Sequence, residues 1–136
     1  MKYSDPILDG AISFHGHLGP YLVLGLKAGI YANEVLGKNP MKMHALVSTN
    51  PAPPHSCSAD GVQYSTGCTL GKNNITLISG SGLTITFTRD QRTVTLTLKK
   101  EIIDEIQQLP NIEIKWEELA FDFYQRLIDS LFFISQ

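Results

Sequence analysis

Residues 14–19 read Phe14-His15-Gly16-His17-Leu18-Gly19, and Pro20 follows. Two imidazoles one residue apart, set among glycines just ahead of an apolar helix, suit a cleft better than a core. Farther on stand Cys57, Asp60 and Cys68, and those two cysteines are the only ones in the 136-residue chain. Histidine and cysteine are the ligand types that select zinc and related transition ions. His15, His17, Cys57 and Cys68 are therefore the candidate metal ligands, for zinc or another divalent transition metal. Asp60 and Lys72 are the candidate catalytic groups, able to handle a proton or an anionic group beside such an ion.

Each of these residues also has a plainer reading. A lone histidine pair can be structural, since imidazoles often serve as hydrogen-bonding groups. A helix N-terminus lowers a nearby cysteine pKa, so Cys57 could be a reactive or metal-bound thiolate. A free cysteine is also a small buried hydrophobe. Asp60, one turn on, could ligate, act as a general base, or simply favour the positive end of a helix. His44 and His55 are spare donors, but no spacing requires either.

The segment Gly67-Cys68-Thr69-Leu70-Gly71-Lys72-Asn73-Asn74 resembles a phosphate loop only at first sight. A P-loop needs one more residue between the glycines and a Ser or Thr after the lysine. What remains is a glycine-rich connection, or a backbone nest with Lys72 beside it. No Gly-x-Ser-x-Gly elbow and no dinucleotide fingerprint after a strand occur.

Those residues need a scaffold. Pro20 suits the first position of a helix and Gly37 its end, which predicts a helix over residues 20–36 with Leu22, Val23, Leu26 and Ile30 as a core stripe. Gly25, Ala28, Gly29 and Ala32 are small, as close packing against a neighbour demands. A strand is expected over 43–48, then a helix over 57–66 capped by Ser56 and ended by Gly67. That helix sets Cys57, Asp60 and Tyr64 on one face. A further strand fits 74–79. Leu83, Ile85 and Phe87, then Val94, Leu96 and Leu98, alternate with threonines and predict a hairpin with one aliphatic and one threonine face. A third helix ends at Pro110. A last one is expected over 116–134, wide and apolar enough to lie against the sheet or in a dimer. The sum is a single α+β domain over residues 1–136, with a largely antiparallel sheet.

Bulk properties exclude some classes. Charged residues are 18% and the hydrophobic set 43%, too apolar for disorder. Eleven Lys and Arg against 13 Asp and Glu give a net charge of -2, with no basic stripe to bind nucleic acid. The apolar run from Leu18 is broken at Lys27, short of the roughly 18 residues a membrane span needs. A cytoplasmic location follows as the expectation, where cysteines serve as thiols or ligands rather than disulfides.

The blocks Phe14-His15-Gly16-His17-Leu18-Gly19-Pro20, Cys57-x-x-Asp60-Gly61-Val62-Gln63 and Gly67-Cys68-Thr69-x-Gly71-Lys72-x-Asn74 together resemble the FmdE family, which takes its name from a component of formylmethanofuran dehydrogenase, over roughly residues 10 to 80. The resemblance implies an α+β core domain, a homodimer, and a metal-binding cleft for a small anionic ligand. His17 and Cys57 match residues that the family places in that cleft, with His15, Asp60 and Cys68 close by. It implies kinship with a molybdenum or tungsten oxidoreductase of one-carbon metabolism in methanogens. The alternative role is a metal-free accessory subunit or binding module of such a complex. Two departures stand out. Gly19 occupies a position where the family commonly has cysteine, and no C-terminal zinc finger follows, so the core domain alone is expected.

Overall fold

A computed structural model describes residues 2–136. Thirteen short elements follow one another, and the helix that opens the chain is one that the sequence patterning does not suggest. Helix α1 (Pro6–His15) starts where Asp5 accepts hydrogen bonds from the Ile7 and Leu8 amides at 3.0 and 3.1 Å, with Pro6 in the first turn. Gly16 ends it in the left-handed region at φ 117°, a conformation that glycine adopts without steric cost. His15 is therefore the last residue of a helix, not part of a loop.

Helix α2 (Pro20–Leu36) has the expected limits, with Gly37 as its C-cap. It lies at the centre of the molecule, against the sheet on one side and against α3 (Ser58–Thr66) and α5 (Glu113–Gln125) on others. Its small residues do what close packing requires. A Cβ at Gly61 of α3 would stand 2.9 Å from the Gly25 carbonyl carbon, and closer still to the Leu22 carbonyl oxygen and the Leu26 nitrogen. The two helices therefore touch backbone to backbone.

Strand β1 (His44–Thr49) leads into a 3-10 turn, His55–Cys57, and then α3. The expected helix over 57–66 thus begins one residue late, and Ser56 does not cap it. Instead the Ser58 hydroxyl donates back to the His55 carbonyl at 2.9 Å, and the 3-10 turn feeds straight into α3. Gly67 ends α3 in the left-handed region, as expected.

Strands β2 (Ile75–Ser79), β3 (Leu83–Arg89) and β4 (Arg92–Leu98) follow, then α4 (Lys100–Gln107), α5, a single turn α6 (Ile128–Leu131) and β5 (Phe132–Ser135). The sheet order is β2-β1-β3-β4-β5, parallel only between β1 and β2. Residues 80–82 do not form a hairpin turn; they cross the end of β1, where the Gly80 amide donates to the Thr49 carbonyl at 3.0 Å. The β3–β4 hairpin forms as expected, with Thr88 opposite Thr93 and Ile85 opposite Leu96. Its aliphatic face is buried. Its threonine face is open, with hydroxyl pairs Thr86–Thr95 and Thr88–Thr93 at 3.3 and 3.4 Å.

The last helix is shorter than the apolar pattern suggests. Gln125 ends α5, Arg126 is extended, and residues 132–135 form an edge strand instead. The Lys27 ammonium accounts for the break, donating to the Tyr124 carbonyl at 2.8 Å and to that of Arg126. Phe132 and Ile134 then pair with Leu98 and Leu96 of β4. Five helical segments longer than one turn, with one mostly antiparallel sheet, make an α+β fold.

Candidate functional site

The turn between α1 and α2 sets the two histidines side by side. Gly16 reverses the chain, and the rings of His15 and His17 come to 4.9 Å, edge to face. His15 Nδ1 lies 2.6 Å from Asp60 Oδ2 of α3. An ionised carboxylate only accepts, so Nδ1 carries the proton there, which in the neutral imidazole leaves the lone pair on Nε2. The His15 side chain is 10% exposed, and its Nε2 is buried without a hydrogen-bond partner. A buried polar atom left unpaired costs about 1–3 kcal/mol, which marks this nitrogen as a candidate ligand atom.

His15, His17 and Cys57 line one cavity of about 490 Å³, within the range typical of small-molecule sites. Gly19 and the start of α2 (Pro20, Tyr21 and Leu22) also line it, as do Pro54 and, from the segment that opens α5, Asn111, Glu113 and Trp116. The sequence pattern marks Trp116 only as the start of a helix and gives Tyr21 no role. The signals present in the sequence are that Trp116 is the sole tryptophan of the chain and Tyr21 directly follows the helix-opening Pro20.

Cys57 is half-buried, at the junction of the 3-10 turn and α3. Its thiol pKa is pushed up by burial first and by the Asp60 charge second, which outweigh a backbone hydrogen bond that lowers it. The helix-end effect expected from sequence is thus overridden. Asp60 also accepts a long bond from Gln63 Nε2 at 3.4 Å.

Cys68 and Lys72 do not line this cavity. Cys68 is fully buried, its thiol donating to the Met43 carbonyl at 3.3 Å and its amide to the Thr66 hydroxyl at 3.1 Å. Lys72 sits on an exposed 3-10 turn, Leu70–Lys72, with Nζ on the Thr69 hydroxyl at 2.8 Å. That segment serves structure: Asn74 Oδ1 accepts from the Thr69 amide at 2.8 Å, and its Nδ2 donates to the carbonyls of Pro40 and Met43. His44 is exposed on β1. The His55 ring lies 4.7 Å from that of Tyr21, tilted by 40°, with Nδ1 buried and unpartnered.

The family described as "FmdE, Molybdenum formylmethanofuran dehydrogenase operon" matches residues 14–131, from the histidine turn to the end of α6. The chain belongs to the FmdE family. A protein of Archaeoglobus fulgidus, described as a "probable S-adenosyl-L-methionine-binding protein", is 34% identical over 104 residues. The match covers 70% of this chain and 27% of that protein, so the FmdE chain described here spans about a quarter of its relative's length. Among the described residues no helix is long and apolar enough to cross a membrane.

A divalent ion is implied by the family resemblance, and the donors can be tested against it. Among the described residues no three His, Cys, Asp or Glu side chains are already gathered closely enough to hold an ion. In kind, however, the donors fit. His15 offers a buried, unpartnered Nε2 whose opposite nitrogen is tied to a carboxylate, the arrangement that orients metal-binding imidazoles. His17 and Cys57 add a nitrogen and a sulfur in the same cavity.

Proposed function

We propose that the cavity binds a zinc-like divalent ion through His15, His17 and Cys57, and that a small ligand enters beside it. The observation that carries this reading is the His15 imidazole, with Nδ1 fixed by Asp60 at 2.6 Å and Nε2 buried and unpartnered. Three protein ligands leave a coordination position open, which separates catalytic from structural zinc sites. When bound, such an ion would polarise a ligand oxygen or activate a water. Asp60 is a positioning residue: it sets the tautomer and orientation of His15. Pro20, Tyr21 and Trp116 exclude water from the ligand's apolar part. Cys68 packs the core and Lys72 steadies its own turn, so neither belongs to the set.

Metal analysis of the untagged protein tests this reading. Wild type and Cys68→Ser should each hold close to one zinc per chain, while His17→Ala and Cys57→Ser lose it. Metal well below one per chain, unchanged by those two substitutions, would overturn the proposal.

Family membership supports a role as an accessory component of formylmethanofuran dehydrogenase; a homodimer acting alone is the alternative. Native mass measurement of the endogenous protein separates the two. The Archaeoglobus relative's description supports a second reading of the cavity, as a site for S-adenosyl-L-methionine. Trp116 brings an aromatic ring to the cavity for a sulfonium or an adenine, and Glu113 a carboxylate for a cation or hydroxyl. Saturable change of Trp116 fluorescence with that compound is the expected result; a flat titration refutes this second reading.

A further inference from the structure

The segment from Gly67 to Asn74 lines no part of the cavity, yet a chain of hydrogen bonds connects it to His15. The chain starts at Asn74, which is only 6% exposed. Its Oδ1 accepts from the Thr69 amide at 2.8 Å, and its Nδ2 donates to the carbonyls of Pro40 and Met43 at 2.7 and 3.1 Å. Those bonds pin the turn Leu70–Lys72 to the body of the fold. Thr69, the N-cap of that turn, makes no capping bond with its own side chain, and the first amides of a helical turn have no partners within it. Gln63 of α3 supplies one: its Oε1 accepts from the Leu70 amide at 3.0 Å. Gly67 ends α3 in the left-handed region at φ 78°, so the chain turns there and Leu70 can come back to Gln63.

That bond decides which end of the Gln63 amide faces the site. A backbone N–H can only donate, so the oxygen turns to Leu70 and the nitrogen is left for Asp60. Asp60 lies three residues earlier on the same helix, the spacing at which side chains meet. Gln63 Nε2 donates to its Oδ1 at 3.4 Å, while Oδ2 holds His15 Nδ1 at 2.6 Å. The Asp60 side chain is 39% exposed. Held by His15 alone, its carboxylate could turn about its last bond toward water. The Gln63 bond is long, and such a pair adds little to an isolated helix. Here, however, the turn already orders the donor, so the bond to Asp60 does not bear that entropy cost alone.

We propose that Gln63 is a positioning residue of the cavity: anchored by the Leu70 amide, it holds Asp60 in the orientation that keeps the His15 proton on Nδ1 and leaves Nε2 free to ligate. This rests on the reading of His15 as a donor in the cavity. It gives the glycine-rich segment a part in the site without any contact with what the site binds. The order of the parts is Asn74, the turn, Gln63, Asp60 and His15, and each link is a hydrogen bond between named atoms.

Two substitutions cut the chain at different links. Gln63→Met keeps the length of the side chain and loses both of its bonds. Leu70→Pro removes only the amide proton. Thr69 is extended at φ -133° and ψ 157°, as the residue before a proline prefers, and Leu70 opens its turn and is 82% exposed. Leu70→Ala keeps the amide and is the control. The first readout is the His15 tautomer in the metal-free full chain, from its ring-nitrogen chemical shifts at a pH above the imidazole range. Wild type and Leu70→Ala should keep the proton on Nδ1, while Gln63→Met and Leu70→Pro should each move part of it to Nε2. A purely structural role for Gln63 would lower Tm and leave that ratio alone. The second readout is competitive zinc titration, in which the same two variants should weaken about three- to tenfold, less than loss of Asp60 itself. A wild-type tautomer ratio in either Gln63→Met or Leu70→Pro would overturn the proposal, as would a Leu70→Ala ratio displaced as far as that of Leu70→Pro. Zinc that fails to bind the wild type would count against the ion alone, because the tautomer is read without metal.

Discussion

Substituting Gly61 by alanine tests the link between the helix seam and the site. A Cβ there falls about half an ångström or more short of ordinary contact with the Gly25 carbonyl carbon, and further short with two other backbone atoms of α2. Backbone cannot swing aside as a side chain can, so α3 must retreat. Overpacking of this kind costs about 1–3 kcal/mol, while alanine in place of glycine returns about 1 kcal/mol of helix propensity. Three backbone atoms of α2 within 3 Å of the added Cβ put the cost at the upper end of that range, so the net loss expected is about 2 kcal/mol, or roughly 6–8 °C in Tm for a domain of this size. Because α3 carries Asp60, the same retreat lengthens its 2.6 Å contact with His15. Zinc affinity should therefore fall with Tm. Thermal melts by circular dichroism and competitive zinc titration read the two effects. Gly71→Ala, at a glycine with nothing within 4 Å of its Cβ position, is the control and should change neither. A Gly61→Ala protein that melts at or above the wild-type temperature would refute the backbone contact.

Two further outcomes concern the cavity more directly. Asp60→Asn keeps the shape but weakens the hold on His15 Nδ1, and losing such a partner typically lowers metal affinity 10–100-fold, about 1.4–2.7 kcal/mol; unchanged zinc affinity would remove His15 from the ligand set. In metal-stripped protein, burial and the Asp60 charge hold the Cys57 thiol above its ordinary pKa, so less of it is thiolate at neutral pH. Iodoacetamide should then modify Cys57 more slowly than a model thiol at pH 7, and Asp60→Asn should speed the reaction; a faster rate in the wild type would contradict the assignment of charge here.

Local chemistry was legible where it acted alone. Pro20 and Gly37 bracket α2 because each satisfies its end of the helix without help from the rest of the chain. The threonine alternation of 83–98 reads directly as a hairpin because its partner strand is next in sequence. The same route fails for β2, whose partner β1 lies a helix away and whose parallel pairing no turn announces. Helix α1 carried a signal, Asp5-Pro6, but only Leu8 and Ala11 of its ten residues are buried, too few to mark a stripe. At the C-terminus, Phe132-Phe133-Ile134 fits either period over so short a run, and tertiary bonds from Lys27 decided for a break and a strand. For the site, residue type and order pointed to His15, His17 and Cys57, which do share a cavity. Cys68 and Lys72 were singled out by the same motif reasoning, and the structure places both off this cavity, Cys68 buried and Lys72 on an exposed turn. Trp116 and Glu113 were out of reach, because only the packing of α5 on α2 brings them across.

That cavity wall comes from stretches of chain that are far apart: residues 15–22, residues 54–57 and residues 111–116. No fragment shorter than residues 15–116 contains all three. The pocket therefore exists only in molecules whose chain has closed from the histidine turn to the last long helix. Any occupant that binds it will, by mass action, draw the folding equilibrium toward the native state, by about 2.7 kcal/mol at a hundredfold excess over its Kd. Resistance to thermolysin can thus serve as a ligand screen that needs no knowledge of the reaction: compounds that seat in the pocket protect the whole polypeptide together, not one segment of it.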